Sequence, residues 1–208
     1  HVMKSRELTL LTLLLTLGAV AQPVPDNLVV EGVPAFPPEL RRNAARYLEF
    51  RAAAFHGWHP IRRELLITTR FADTPQLHVV KAPGGARQQL TFGTEPVGVA
   101  HYRPKLGDFI VFSQDSGGGE FYQLYRHDFA DGRNTLLTDG KSRNTGAHFS
   151  PSGLHLAYTS TRRNGKDNDL YVMIPTDPST DRLLCEVSGG GWGVYGEFLE
   201  NSQKHVAT

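Results

Sequence analysis

The chain has 208 residues, with 22 basic and 21 acidic side chains, nine histidines and a single cysteine. This balanced charge argues against a nucleic-acid-binding protein, which needs clustered lysine and arginine. One cysteine excludes an internal disulfide, so the stability of the fold must come from packing.

The first 21 residues have the pattern of a secretory signal peptide. Lys4 and Arg6 precede an apolar run, Leu8–Ala21, which ends in Ala19-Val20-Ala21. A basic start, a short apolar stretch and an A-x-A exit are typical of such peptides. The run is shorter than the roughly 20 residues that a membrane-spanning helix needs. We therefore expect an exported chain, periplasmic or secreted and free of the membrane after cleavage, with a transmembrane anchor as the weaker alternative.

Residues 22–46 predict a lead-in with a short helix. Pro37-Pro38 precede Glu39–Arg46, and proline is tolerated in the first turn of a helix whose interior is rich in Ala, Arg and Leu. From there on, short runs of β-branched, aromatic and aliphatic residues predict strands separated by Gly, Pro, Asn and Asp turns. The clearest predicted strands are Glu64–Thr69, Leu77–Lys81, Phe109–Ser113, Gln123–Arg126, Leu154–Thr159 and Leu170–Ile174.

These strands recur with a fixed period. Leu90, Leu137 and Leu184 are spaced 47 residues apart, and Pro104 and Pro151 have the same spacing. Each unit contains four short strands, and units of about 40–50 residues are typical of β-propeller blades. We predict an all-β partial propeller over residues 47–208, with blades near 47–92, 93–139 and 140–187 and the start of a fourth at 188–208.

A series of motifs follows in order along the chain: Arg51–Phe55, Trp58-His59-Pro60, Leu65–Val80, Pro83–Phe92, Asp115–Tyr125, Leu136–Asn144, Phe149–Tyr171 and Gly189–Trp192. This ordered series resembles the N-terminal propeller of the prolyl-oligopeptidase family of serine peptidases, in its acylaminoacyl-peptidase and dipeptidyl-aminopeptidase-like branch. The resemblance covers about residues 38–192. Short turns such as FSPSG also fit any TolB-like propeller.

The resemblance implies a non-catalytic role for this chain. In the family, the propeller covers a C-terminal α/β-hydrolase domain that carries the Ser, Asp and His, and admits peptides but not folded proteins. The sequence contains no G-x-S-x-G nucleophile motif. We therefore expect no catalytic residue and no hydrolysis by this chain alone. The expected partners are the hydrolase domain and peptide substrates.

Two loop motifs have a plain structural interpretation. Asp115-Ser116-Gly117-Gly118 is similar to the nucleophile loop of chymotrypsin-like peptidases, but it falls on a hairpin loop, and the next unit has no serine at the corresponding place. Asp167-Asn168-Asp169 lacks the ligand pattern of a calcium-binding EF-hand loop. The histidines show no metal-binding motif spacing. We expect neither a metal site nor a cofactor.

Three charged loop residues, Glu120, Arg162 and Arg163, are the candidate substrate-binding groups. Such side chains at one end of a propeller can reach a shared chamber, and an arginine binds a carboxylate through two hydrogen bonds. Charges exposed to solvent are the alternative interpretation. Trp58 and Trp192 fall on predicted strands and are expected in the core, and Cys185 is expected to be a small strand residue.

A different class of function stays open. A free-standing TolB-like periplasmic propeller would bind protein partners rather than gate a peptidase. An incomplete set of blades also exposes sheet faces and edges, which favours self-association.

Overall fold

The computed structural model describes residues 29–34, 37–48 and 50–189. The expected signal peptide, Trp192 and nearly all of the expected fourth blade lie outside the described residues. The chain divides into two units between Glu49 and Phe50, the first containing a helix and the second containing the sheets.

Helix α1 (Pro38–Leu48) confirms the short helix expected before the strands. It begins at a proline, which has no N–H to leave unpaired in the first turn. Glu39 in the first turn and Arg46 in the last turn have the charges that favour each end of the helix dipole. No helix in the described part of the chain is long and apolar enough to cross a bilayer.

Twelve strands form three four-stranded antiparallel sheets, each in simple sequential order. The first sheet contains β1 (Ala53–Trp58), β2 (Leu65–Thr69), β3 (Gln76–Val80) and β4 (Arg87–Gln89). The second contains β5 (Val97–Tyr102), β6 (Phe109–Gln114), β7 (Gln123–Asp128) and β8 (Asn134–Leu136). The third contains β9 (Asn144–Phe149), β10 (Leu156–Ser160), β11 (Asp169–Ile174) and β12 (Asp177–Cys185).

The second sheet supplies both halves of the core. Ile110 and Phe112 pack with side chains of the first sheet, such as Leu66, Leu77 and Val79. The alternating residues Phe109 and Val111 instead pack with side chains of the third sheet, among them Leu156, Tyr158 and Met173. Successive side chains of a strand point to opposite faces, so a strand covered on both sides is continuously apolar. The sequence FIVF of β6 has this character because its sheet lies between the other two.

A threonine hydrogen bond explains the repeated Leu-Thr motif. The Leu77 N–H donates to Thr91 Oγ1 (3.0 Å), and 47 residues later the Leu124 N–H donates to Thr138 Oγ1 (3.1 Å). Both threonines are buried. In the third sheet Cys185 takes this place as a half-buried residue at the end of β12. Its thiol cannot replace the hydroxyl as an acceptor of comparable strength.

At the first two repeated prolines, the residue before the proline joins one sheet to the next. His59 Nε2 lies 3.1 Å from the Gly107 carbonyl oxygen in the β5–β6 turn. At the corresponding position, Arg103 Nε donates to the Gly153 carbonyl oxygen (3.0 Å) in the β9–β10 turn. The third equivalent, Ser150, instead accepts from the His155 N–H of its own turn (3.1 Å).

The expected burial of Trp58 is wrong. Trp58 lies at the end of β1 with 65% of its surface exposed, in edge-to-face contact with the exposed Phe55. The strand position was predicted, but burial depends on whether a neighbour covers that face. Among the described residues, only the opposite face of the first sheet forms part of the first core cluster.

Candidate functional site

The first strands of the second and third sheets place two histidines side by side. His101 of β5 pairs with Val111, and His148 of β9, 47 residues later, pairs with Ala157. Because the two strands belong to consecutive sheets, their equivalent positions are neighbours. The two imidazole centroids lie 6.1 Å apart.

A cleft of about 260 Å³ lies beside this pair, and we call it the first-strand cleft. Each first strand has an irregular register near it, between Val97 and Ala100 in β5 and between Thr145 and His148 in β9. Such bulges bend a strand and turn side chains away from regular pairing. The cleft is lined by Val99, His101, Val111, Phe112, Ser113, Leu124, Thr145, Gly146, Ala147 and His148.

The corresponding place between the first and second sheets is occupied by a side chain. His56 stands four residues before Pro60, as Ala100 does before Pro104 and Ala147 before Pro151. His56 Nδ1 accepts from the Ala100 N–H (3.3 Å) across the junction. The residues equivalent to Thr68 and Ala100, which bind His56 at the first junction, are Ser113 and Ala147 at the second, and both line the open first-strand cleft.

Burial keeps two of these imidazoles neutral at neutral pH. Burial lowers the pKa of His56. Burial also lowers the pKa of His101, and the nearby imidazoles of His148 and His56 lower it further. A neutral imidazole has one donor and one acceptor nitrogen. Since His148 is exposed and His101 half-buried, both rings are partly open to solvent at the cleft.

Glu120 lies in the β6–β7 loop with a left-handed backbone (φ 59°). Its N–H donates to Asp115 Oδ2 (3.0 Å), and its side chain is exposed. Ser116 is exposed in the same loop. The Asp115 carboxylate therefore closes its own loop, as the hairpin interpretation of Asp115-Ser116-Gly117-Gly118 predicts.

Arg162 packs inside the third blade. Its guanidinium lies over the Tyr171 ring, 3.7 Å from the centroid, and forms an ion pair with Asp181. The Tyr158 hydroxyl donates to the same Asp181 carboxylate (2.8 Å). Burial, with this carboxylate next in importance, raises the pKa of Tyr158. The guanidinium thus holds a buried tyrosine and a carboxylate in place.

A buried polar residue begins the third strand of each sheet, and in the third sheet Arg163 pairs with it. In the first sheet, Gln76 Oε1 accepts from the Gly93 N–H (3.3 Å) and Gln76 Nε2 donates to the Gly93 carbonyl (3.1 Å). In the second, Gln123 Oε1 accepts from the Gly140 N–H (2.9 Å) and Gln123 Nε2 donates to the Ser142 carbonyl (2.7 Å). A buried glutamine amide thus fastens the loop that leads to the next sheet.

In the third sheet, an ion pair performs the function of this amide. Asp169 stands at the glutamine position, and its Oδ1 accepts from the Val187 N–H (2.8 Å). Arg163 Nε donates to Asp169 Oδ2 (2.6 Å), and Arg163 Nη2 donates to the Val187 carbonyl (3.0 Å). The hydrogen bond from Arg163 lowers the pKa of the Asp169 carboxyl, followed by that from Val187. A carboxylate has no donor, so the arginine supplies it.

The three predicted site residues therefore contact different groups. Glu120 contributes its backbone to one loop, while Arg162 and Arg163 pair with different carboxylates of the third blade. The hydrogen bonds and ion pairs described for them do not bring them together around one space. A role for the three in substrate binding stays a prediction.

Sequence reasoning missed the first-strand cleft. Metal-binding motifs place their histidines within one segment, whereas His101 and His148 meet only because they are one repeat apart. The signal was present, since each histidine precedes an aromatic residue and stands three before a repeated proline, Pro104 or Pro151. Among the described residues, no group of three or more His, Cys, Asp or Glu side chains could hold a metal ion.

Comparison with known proteins identifies the architecture. No protein-family model and no curated protein matches this sequence. Solved structures do match, and TolB from Agrobacterium tumefaciens is 20% identical with a TM-score of 0.56, over 67% of this chain and 49% of that one. The fold is a partial β-propeller.

Two peptidase structures also contain this arrangement of blades. A prolyl endopeptidase is 16% identical with a TM-score of 0.54, over 73% of this chain and 25% of that one. Dipeptidyl peptidase 4 from Porphyromonas gingivalis is 14% identical with a TM-score of 0.54, over 74% and 21%. The matched region spans about half the length of TolB and a quarter or less of the peptidases. At these identities, the similarity establishes the propeller fold alone.

Proposed function

We propose that this chain is the non-catalytic, substrate-gating propeller portion of an exported prolyl-oligopeptidase-type serine peptidase. The observation that supports the proposal is the series of three consecutive four-stranded sheets, which also matches part of a prolyl endopeptidase and part of a dipeptidyl peptidase 4. In this proposal the nucleophile, base and oxyanion hole belong to a C-terminal α/β-hydrolase domain. The propeller acts by steric selection of peptides.

The loop that contains Ser116 supports the non-catalytic role in this proposal. Ser116, the one serine in a peptidase-like motif, is in an exposed hairpin loop whose Asp115 carboxylate binds the Glu120 N–H. A serine nucleophile needs a histidine base oriented by a buried carboxylate. We expect the purified 208-residue chain to hydrolyse neither peptide nor ester substrates, and Ser116→Ala to change nothing.

The test uses the coding sequence downstream of the Thr208 codon. If it encodes a G-x-S-x-G segment, the full protein is expressed with and without residues 47–208. We expect the full protein to cleave a short peptide but not the same sequence inside a folded protein. Loss of this size selection without the propeller supports gating. Equal selection by both forms, or turnover by the 208-residue chain that Ser116→Ala abolishes, contradicts it.

A free-standing, TolB-like periplasmic interaction module is the second candidate. It is favoured by the match to TolB, of which this chain covers a larger share than of the peptidases. A stop codon directly after Thr208 in the gene supports this candidate over the first. Partial rings that self-associate through open blade edges would sediment as dimers in either case.

A further inference from the structure

The first-strand cleft has the walls of a binding site for one apolar side chain. Val99, Val111, Leu124 and Ala147 supply aliphatic walls, and Phe112 supplies an aromatic one. Ligand sites combine such walls with a few polar groups that fix orientation. Here the polar groups are Ser113, Thr145 and the two histidines.

The first junction shows what kind of side chain fits the space that is equivalent to the first-strand cleft. At the first junction, the equivalent space holds the imidazole of His56, which bonds to the Ala100 N–H (3.3 Å) and Thr68 Oγ1 (3.1 Å). At the second junction, the equivalent residues Ser113 and Ala147 line an open cleft instead. The space between these blades is therefore suited to a planar ring from outside the chain.

The two imidazoles beside the cleft favour an anionic group next to that ring. His101 and His148 lie 6.1 Å apart, a separation that lets both contact one small group. Besides burial, the groups that lower the pKa of His101 are the imidazoles of His148 and His56. A carboxylate accepts hydrogen bonds from imidazole N–H groups and is held more strongly when the imidazole is protonated.

We propose that the first-strand cleft binds the C-terminal aromatic residue of a peptide. The ring enters the cleft between the second and third blades, and the terminal carboxylate lies between His101 and His148. This inference rests on the proposed function, because it assigns a peptide subsite to the propeller. The occupant is identified by its chemistry, an aromatic ring adjacent to a free carboxylate.

The test measures binding to the 208-residue chain by isothermal titration calorimetry and by NMR of the histidine ring nitrogens. The probes are a tripeptide ending in phenylalanine with a free carboxylate, its C-terminal amide, and free benzoate. We expect the acid to bind about tenfold more tightly than the amide, because a charge-assisted hydrogen bond is lost. We also expect tighter binding of the acid at about pH 6 than at about pH 8.

Variants locate the site. Ala147→Leu fills the cleft and is expected to abolish binding, while Ala86→Leu makes the same change on an exposed turn and should bind as the wild type does. His148→Gln, at an exposed position, should remove most of the preference for the acid while leaving thermal unfolding unchanged. Circular dichroism establishes that each variant is folded before its affinity is compared.

Three results would overturn the subsite. These are equal affinity for the acid and the amide, unchanged affinity in folded Ala147→Leu, or stronger binding of benzoate than of the peptide. Size selection by the full peptidase is measured separately, so gating can survive the loss of this subsite. Conversely, acid-specific binding by a chain whose gene has no hydrolase segment would retain the subsite and reject the gating role.

Discussion

The two junctions between blades have the same geometry but use different chemistry. At the first, the His59 imidazole reaches the Gly107 carbonyl (3.1 Å), and at the second the Arg103 guanidinium reaches the Gly153 carbonyl (3.0 Å). Each side chain precedes a repeated proline and contacts a glycine of left-handed backbone in the next blade. The repeat therefore conserves the position of a bond between blades rather than the residue that makes it.

The difference lies in how each side chain is held. His59 Nδ1 accepts from the N–H groups of Ile61 (3.1 Å) and Arg62 (3.0 Å), so the proton is on Nε2 and the ring must stay neutral. Arg103 is permanently charged and pairs with the half-exposed Asp108 (3.0 Å). The first junction is thus sensitive to acid, and the second is not.

The largest effect is expected from Gly107→Ala at the first junction. The added Cβ would lie 2.4 Å from His59 Nε2, at a residue with φ +63°. Displacement of His59 together with the left-handed backbone should reduce the free energy of unfolding by about 3 kcal/mol. Urea denaturation followed by circular dichroism measures this.

Gly132→Ala is the matched control for that variant. Gly132 has a similar φ of +71°, but its Cβ would meet no atom within 4 Å. Only the backbone cost of about 1 kcal/mol should remain. Equal losses in the two variants would show that contact with His59 does not stabilise the junction.

The next effect is expected from His59→Ala. This change leaves the buried Gly107 carbonyl and the partly buried N–H groups of Ile61 and Arg62 without their partner. We expect a loss of about 2 kcal/mol in the free energy of unfolding. His148→Ala, on an exposed histidine, should change it by less than about 0.5 kcal/mol.

Arg103→Ala should have a smaller effect at the second junction. It removes the bond to Gly153 and the packing of the guanidinium over the Phe109 ring (5.2 Å). We expect a loss of about 1 kcal/mol, since the ion pair with an exposed Asp108 contributes little. A loss larger than that of His59→Ala in the same denaturation series would reverse the ranking of the two junctions.

The smallest effect is the dependence on pH. Burial, followed by the nearby Arg62 charge, lowers the pKa of His59 below that of the unfolded chain. The unfolded state then binds more protons, so stability falls as pH drops below about 6.5, by at most about 0.7 kcal/mol between pH 7 and pH 6 for this residue. The slope of stability against pH should flatten in His59→Gln and stay unchanged in Arg103→Gln. An unchanged slope in His59→Gln would assign the acid sensitivity to the other histidines of lowered pKa, His56, His78 and His101.

Much of the fold follows from local patterns in the sequence. Runs such as Phe109–Ser113 and Leu170–Ile174 predict strands because their side chains suit a pleated surface, and the repeated prolines and glycines separate them. The Leu-Thr repeat also has a local cause, since Thr91 and Thr138 each accept a bond from the third strand of their own sheet. The confirmed features are those that each blade determines by itself.

Features that depend on two elements were harder to predict. The exposure of Trp58 depends on which neighbour covers its sheet, and the pairing of Arg163 with Asp169 depends on side-chain positions within a loop. The two histidines of the cleft meet only through the packing of consecutive blades. In each case the residue is visible in the sequence, but its role depends on which residues it contacts in the folded structure.

The exchange of a glutamine for an Asp169–Arg163 pair affects how blades can be recombined. The glutamine of the first two blades fastens its loop with one side chain, so a graft that includes its hairpin remains self-sufficient. The third blade needs both Arg163 and Asp169, and a chimera that takes Asp169 without Arg163 would leave a buried carboxylate without its counter-ion. Blade shuffling in this protein should therefore keep residues 163–187 from a single parent.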